Sequence, residues 1–251
     1  MQLSGKVAVI TGGAGVLGLA TARVFLENGA NVMLVDNDST SLRTALAGLA
    51  SKNAEGVVAD VTQASAVQTY TQDTLDRFGK IDLFFNNAGI EGEVARISEY
   101  SEAVFDRVMA INVRGVFLGM KYVLPKMTDG GSVIITSSVA GFRGTPGFVA
   151  YTASKHAVVG IMKSTALDAA PRKIRVNTIH PGMVESVMMR RLEEQFAPGD
   201  AVGAKAAFTA SIKLGRYVRP EEVAQMVLYL ASDASAMVTG SEFVVDGGFL
   251  L

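Results

Sequence analysis

The sequence predicts an α/β fold: one doubly wound parallel sheet with helices on both faces. Three observations predict it. Short apolar, β-rich runs alternate with helical stretches along the whole chain. The first run passes through a glycine-rich loop directly into a helix. The unusual polar residues, Asp36, Asp60, Asn87 and Ser138, fall where apolar runs end. In such sheets ligands bind beyond the C-terminal strand ends.

Each element has its own signal. Lys6 to Thr11 is short, apolar and stopped by glycines, as a buried parallel strand is. Gly12-Gly13-Ala14-Gly15-Val16-Leu17-Gly18 forms the loop, and Leu19 to Asn28 has helical periodicity closed by Gly29. Asn31 to Val35 is a second strand, ending at Asp36. Ser39 to Ser51 predicts a helix, and Gly56 to Ala59 a third strand ending at Asp60. Gln63 to Phe78 predicts a helix stopped by Gly79, and Ile81 to Phe85 a strand running into Asn86-Asn87-Ala88-Gly89. Ser101 to about Met127 reads as one long helix containing Asn112. Ser132 to Thr136 is a fifth strand, ending at Ser137-Ser138. Tyr151 to Ala170 is helical until Pro171, and Ile174 to Ile179 is a sixth strand before Pro181-Gly182. Residues 186–216 have mixed helical character and weak patterning. Pro220 to Ser232 is a helix with Pro at its first position and Glu221-Glu222 in its first turn. Glu242 to Val245 is the last strand.

Composition narrows the chemistry. With 251 residues and no linker or low-complexity segment, residues 1–251 are expected to form a single domain. The net charge of −1, with Lys and Arg scattered, gives no footprint for nucleic acid or a membrane surface. Cys is absent, which excludes disulfides, thiolate metal sites and a Cys nucleophile. The two histidines, His156 and His180, make no His-based metal cluster, so no metal is expected. The uncharged run from Val7 to Ala22 contains four glycines and lacks a basic n-region, so it reads as strand, turn and helix rather than a signal. The cytoplasm is the expected compartment.

Residues 13 to 18 match G-x-G-x-x-G. Between a strand and a helix, such a loop lets backbone N–H groups approach a pyrophosphate at the positive end of the helix dipole. Asp36 follows eighteen residues after Gly18, at the end of the second strand. A carboxylate there accepts hydrogen bonds from an adenosine ribose and repels a 2′-phosphate. Asn37 comes next, with no Arg or Lys beside it, which favours NAD over NADP. Tyr151 and Lys155 stand four apart on one expected helix face. An adjacent ammonium favours the phenolate, so the pair predicts a phenol pKa below its usual value of about 10.

Taken together the chain resembles a classical short-chain dehydrogenase/reductase over essentially its full length, with a Rossmann-like sheet. The resemblance rests on Thr11-Gly12, Asp60, Asn86-Asn87-Ala88-Gly89, Asn112, Ser138 thirteen residues before Tyr151, Tyr151-x-x-x-Lys155, Pro181-Gly182 and Val245-Asp246-Gly247-Gly248. It implies hydride transfer between a carbinol carbon and a nicotinamide. Tyr151 would be the proton carrier, Lys155 the ribose clamp, and Ser138 the anchor of the substrate oxygen. Asn112 would hold a water linking Lys155 to solvent. Gly12, Gly15, Leu17, Gly18, Asp36, Asp60, Val61, Asn87, Ala88, Gly89, Pro181, Gly182, Val184 and Ser186, with Tyr151 and Lys155, would line the NAD (NADH) site. The resemblance also implies a homotetramer, and a mobile substrate-binding segment at about 186–216.

Two positions depart from the family pattern. T-G-x-x-x-G-x-G would place glycine where this chain has Val16, stiff and β-branched. Either Gly15 takes over the close approach or the loop points the valine away. Ser186 stands where Thr is common and keeps the hydroxyl. Substrate walls are expected from Phe142, Phe148, Met183, Met188 and Met189, with Phe196 and Phe208 farther along. Apolar, adaptable side chains fit a hydrophobic or medium-sized alcohol or ketone. Glu91 and Glu185 are expected as solvated loop carboxylates, and His180 has no expected catalytic part. Two other functions share these motifs: a 3-oxoacyl-thioester reductase using NADPH, which Asp36 disfavours, and a non-catalytic dinucleotide sensor, which has no use for Ser138, Tyr151 and Lys155.

Overall fold

The computed structural model describes residues 1–251. Seven strands form one parallel sheet: β1 (Val7–Thr11), β2 (Asn31–Asp36), β3 (Ala54–Val58), β4 (Leu83–Asn86), β5 (Ser132–Thr136), β6 (Arg175–Pro181) and β7 (Glu242–Val245). Their order is β3-β2-β1-β4-β5-β6-β7. The chain winds outward through β2 and β3, then crosses back to β4. The order therefore reverses between β1 and β4, and a crevice opens beyond their C-terminal ends.

The sheet divides two cores. Every residue of β1 is buried, so its side chains serve both. Ile10 packs with Phe25 of α1 (Val16–Glu27), Leu34 of β2 and Val227 of α9 (Pro220–Ala231). Val9 packs on the other face with Phe84 of β4, Tyr70 of α3 (Ala64–Phe78) and Met162 of α6 (Val149–Ala169). Burial on both faces explains why the central strands are continuous apolar runs rather than alternating ones.

Several boundaries differ from the sequence expectation by one to three residues, α1 starting at Val16 rather than Leu19 and β6 running on through Pro181; three further differences have a specific physical reason. β3 starts at Ala54 rather than Gly56, because Ala54 and Glu55 pair with Val32 and Met33 of β2. The backbone ladder extends this half-exposed edge strand past its apolar signal. The long helix is α4 (Glu102–Met109), a π-helical turn (Ala110–Arg114) and α5 (Gly115–Tyr122). It stops short of Met127 because the ring of Pro125 is incompatible with the preceding α-helical turn, and Leu124–Lys126 form a 3₁₀ turn instead. Residues 186–216 contain two capped helices, α7 (Val187–Phe196) and α8 (Ala201–Ser211). Ser186 Oγ accepts from Met189 N at 3.1 Å, and Asp200 Oδ1 from Gly203 N at 2.9 Å. α8 is weakly patterned because it roofs a cavity instead of covering a core and buries only Ala204, whereas α7 is amphipathic and buries Leu192 and Glu193. α2 (Ser39–Leu49) completes the helices on the β2–β3 side.

A small polar network closes the reversal point. The buried Thr11 hydroxyl accepts the backbone N–H groups of Asn87 at 2.9 Å and Ala88 at 3.1 Å. Asn87 Nδ2 donates to Thr11 O at 3.0 Å, and Thr136 Oγ1 donates to Asn87 Oδ1 at 3.0 Å. The ends of β1, β4 and β5 are thus tied to one another. Thr11→Val leaves two half-buried N–H groups without this acceptor. It is expected to lower stability by about 1–3 kcal/mol, read as a fall in the urea midpoint, while Thr11→Ser stays near wild type.

Candidate active site

The glycine loop is shaped by contacts that no side chain tolerates. Gly12 has φ +63°, in the left-handed region. A Cβ on Gly18 would lie 2.2 Å from Gly12 O, so the loop folds against the first turn of α1 at that point. Gly15 caps α1 with extended backbone and no side-chain bond to the first turn. The opening N–H groups of α1 are therefore left for a ligand, the arrangement that binds phosphates. Val16 is not turned into the core: it is 37 % exposed and forms part of the cavity wall beside Gly15.

One cavity of about 930 Å³ runs from this loop across the C-terminal edge of the sheet to α7 and α8. Asp36 and Asp60 stand at one end, Phe196 and Phe208 at the other. Of the cofactor and catalytic residues expected from the sequence, all line this cavity except Gly18, which is buried in the first turn of α1, and Asn112, which is buried behind the wall; of the expected substrate walls, Phe142 does not line it. Asp36 Oδ2 accepts from Ala14 N at 3.1 Å, which ties the end of β2 to the glycine loop.

The reactive cluster lies midway. β5 delivers Ser138, and α6 delivers Tyr151 and Lys155 one turn apart. Lys155 Nζ donates to Thr136 O at 2.9 Å and sits 5.4 Å from the centre of the Tyr151 ring. Ser137 Oγ donates to Lys155 O at 2.9 Å, so the end of β5 grips α6 at this residue twice. Asn112 clamps the neighbouring loop: its Oδ1 accepts from Ile90 N and its Nδ2 donates to Ile90 O, both at 2.9 Å, with Ser154 Oγ a further 3.0 Å partner. The side-chain amide is thus bonded to protein, and its visible function is to hold loop 89–90 against α6.

The family model described as Enoyl-(Acyl carrier protein) reductase matches residues 12–250. The chain is 37% identical to the 3-oxoacyl-[acyl-carrier-protein] reductase of Thermotoga maritima, over 100% of both. It is 38% identical to the levodione reductase of Leifsonia aquatica, over 98% of this chain and 95% of that one. It superimposes on a crystal structure of NAD+-bound xylitol dehydrogenase with TM-score 0.95 at 36% identity, over 99% of this chain and 100% of the other. The chain belongs to the classical short-chain dehydrogenase/reductases.

Within this short-chain dehydrogenase/reductase, several side chains depart from the sequence expectation. Burial pushes Tyr151 up to about 12, with the Ser138 hydroxyl pulling it back and the charge of Glu91 pushing it higher. Burial also pushes Lys155 down to about 8. The expected lowering of the phenol by its neighbour is therefore overturned in the protein alone, because desolvation outweighs the ammonium. Glu91 is not solvated: it is 5 % exposed and pairs with Arg191 of α7 at 2.5 Å. Gln195 Oε1 accepts from Val94 N at 2.9 Å beside it, and Tyr217 donates to Glu193 at 2.9 Å on the other side of α7. Glu185 is exposed, as expected. Phe142 is not a cavity wall; its ring packs on His180 at 4.4 Å between centroids. The Glu91–Arg191 pair spans a hundred residues of chain, so no local sequence signal announces it.

Two measurements follow from this geometry. Between pH 10 and about 12 the unfolded chain has released the Tyr151 proton that the folded chain retains, so this group's contribution to stability falls through that window. Subtracting the alkaline tyrosinate titration of Tyr151→Phe from that of the wild type should leave one phenol with its midpoint near 12. Val16→Gly removes a branched side chain from the wall beside the α1 N-terminus. It should lower the dissociation constant for NAD in calorimetry about two- to tenfold, the yield of removing a steric obstacle of about 0.5–1.4 kcal/mol.

Proposed function

We propose that the protein is an NAD(H)-dependent oxidoreductase that interconverts a hydrophobic secondary alcohol and its ketone. The observation that carries this is the shared cavity: Ser138, Tyr151 and Lys155 meet between an acidic dinucleotide end and an apolar end. The residues fit the cofactor. The uncapped α1 N-terminus would take the pyrophosphate, Asp36 the adenosine ribose, and Asp60 and Val61 the adenine side. Asn87, Ala88, Gly89 and Lys155 would hold the second ribose, and Pro181, Gly182, Val184 and Ser186 the carboxamide end. The nicotinamide, when bound, supplies the carbon that accepts or returns hydride.

The protein's own groups manage the oxygen and its proton. Ser138 Oγ hydrogen-bonds the substrate oxygen and stabilises charge developing on it. The Tyr151 oxygen takes the alcohol proton in oxidation and returns it in reduction. Lys155 supplies the positive charge that favours the phenolate. Tyr151 alone sits too high to be a base at neutral pH, so the positive ring of the oxidised cofactor and the ammonium must act together on it.

The apolar end supports a ring-sized substrate. Phe148 stacks on Tyr151 at 4.7 Å, Phe196 packs edge-on against Phe148 at 6.1 Å, and Phe208 against Phe196 at 5.5 Å. This aromatic wall leads from the phenol to α8, with Met183, Met188 and Met189 lining the same space. Cyclohexanol dehydrogenase of Acinetobacter sp., among the relatives, carries a cyclic alcohol in its name, in keeping with this wall. The reading as an NADPH-linked 3-oxoacyl-thioester reductase draws on the Thermotoga maritima relative. Asp36, which would face the 2′-phosphate, weighs against it. A homotetramer in the cytoplasm belongs to the same proposal, and gel filtration tests the assembly.

The test follows reduced-nicotinamide absorbance with NAD and NADP against cyclic and linear alcohols and ketones. Turnover should be faster with NAD and with cyclic substrates, and Tyr151→Phe should lose at least about a hundredfold in kcat while NAD still binds. A preference for NADP with acyl thioesters, or turnover retained by Tyr151→Phe, overturns the proposal.

A further inference from the structure

We propose that His180 is a positioning residue that holds Ser138 in register with Tyr151, acting through the Ser138 carbonyl. This rests on the reading that Ser138 anchors the substrate oxygen. His180 lies on β6, immediately before Pro181-Gly182, and is 0 % exposed. It does not line the cavity and so does not touch substrate.

Its hydrogen bonds determine its state. Nδ1 lies 2.8 Å from Ser138 O. A carbonyl only accepts, so Nδ1 carries the hydrogen. Nε2 lies 2.9 Å from Thr178 Oγ1, and in the neutral ring it accepts the Thr178 hydroxyl proton. Glu242 is farther from Nε2, at 3.8 Å, and is already paired with Lys163 at 2.9 Å. The Ser138 carbonyl, which can only accept, therefore fixes the tautomer, and the Thr178 hydroxyl complements it by donating to Nε2.

The serine segment is built onto this ring. Ser138 O also accepts from Gly141 N at 2.8 Å, so one carbonyl is held from two directions. Ser138 Oγ accepts from Ala140 N at 3.2 Å within the 3₁₀ turn Val139–Gly141. A Cβ on Gly141 would lie 3.3 Å from His180 Cε1 and 2.6 Å from Ser137 Oγ, so the turn sits directly against the imidazole. Phe142 closes the other side of the ring. The Ser138 hydroxyl belongs to a turn whose base is the His180 ring. Removing the Nδ1 donor frees that turn to shift, and displacements of about an ångström at a reacting centre cost up to about a hundredfold in rate.

The experiment compares His180→Leu, His180→Asn, Ser138→Ala and the double variant Ser138→Ala/His180→Leu in alcohol oxidation, with NAD affinity measured by calorimetry. His180→Leu should lower kcat about ten- to a hundredfold, with NAD affinity within about twofold of wild type. His180→Asn, which keeps an N–H donor, should recover most of the loss. In the Ser138→Ala background His180→Leu should cost nothing further, because the two act as one unit. An unchanged kcat in His180→Leu, or a loss that adds in full to that of Ser138→Ala, overturns the proposal. If Ser138→Ala itself keeps its turnover, the failure lies instead with the reading of Ser138. Nitrogen-15 spectra of the wild-type imidazole give a readout free of both turnover and folding of variants: an Nε2–H tautomer at His180 overturns the proposal directly.

Discussion

The Thr11 hydroxyl holds the point at which the sheet changes direction. A doubly wound sheet must leave a gap where one half turns away from the other, and that gap is useful only when its two lips keep a fixed separation. Here one oxygen at the end of β1 receives two N–H groups from the chain leaving β4. Asn87 then passes the connection to Thr136 of β5, whose own carbonyl receives Lys155. A single polar chain thus runs from the cofactor edge of the crevice to the ammonium at its centre. The links join residues 19 to 77 positions apart in sequence, yet each is a hydrogen bond of ordinary length.

The same surroundings explain why the pKa values of Tyr151 and Lys155 move in opposite directions. Lys155 is buried with one carbonyl for company, and Tyr151 lies against Phe148. Burial disfavours the ammonium and the phenolate alike, so the free protein keeps a neutral phenol beside an amine that releases its proton easily. The site in isolation is therefore at rest. In the proposed mechanism its basic form depends on the positive ring of the oxidised cofactor entering a low-dielectric space, where each charge acts more strongly than it would in water.

The strands were the legible part of the sequence, because burial on both faces writes a continuous apolar run into β1, β4 and β5. The edge strand β3 was less so, since its first residues are held by backbone pairing that any side chain permits. The site's chemical residues were legible through the ordered spacing of Ser138, Tyr151 and Lys155, and the cavity gathers them. Long-range partners were not. Nothing near Glu91 in the sequence signals Arg191, and nothing near His180 signals the Ser138 carbonyl, because each bond joins elements brought together by the fold alone. The weakly patterned stretch 186–216 was illegible for another reason: α8 has only Ala204 fully buried, so it lacks the apolar stripe that periodicity detects.

The π-helical turn at Ala110–Arg114 has a consequence for how this chain tolerates change in length. An α-helix advances about 100° per residue, and a π-type turn accommodates one residue more than the α-helical pattern around it. The turn aims Asn112 at Ile90, and beyond it Gly115 lies so close to the loop after β3, and Gly119 so close to β4, that a Cβ would come within 2.9 Å of Val61 and 2.8 Å of Phe84. Deleting one residue here would restore a regular helix and swing one of those two faces out of alignment with its partner. Point substitutions along the helix surface alter a contact, whereas a one-residue deletion would uncouple the two halves of the crevice wall. Register across this turn therefore depends on its length more than on the identity of its surface residues.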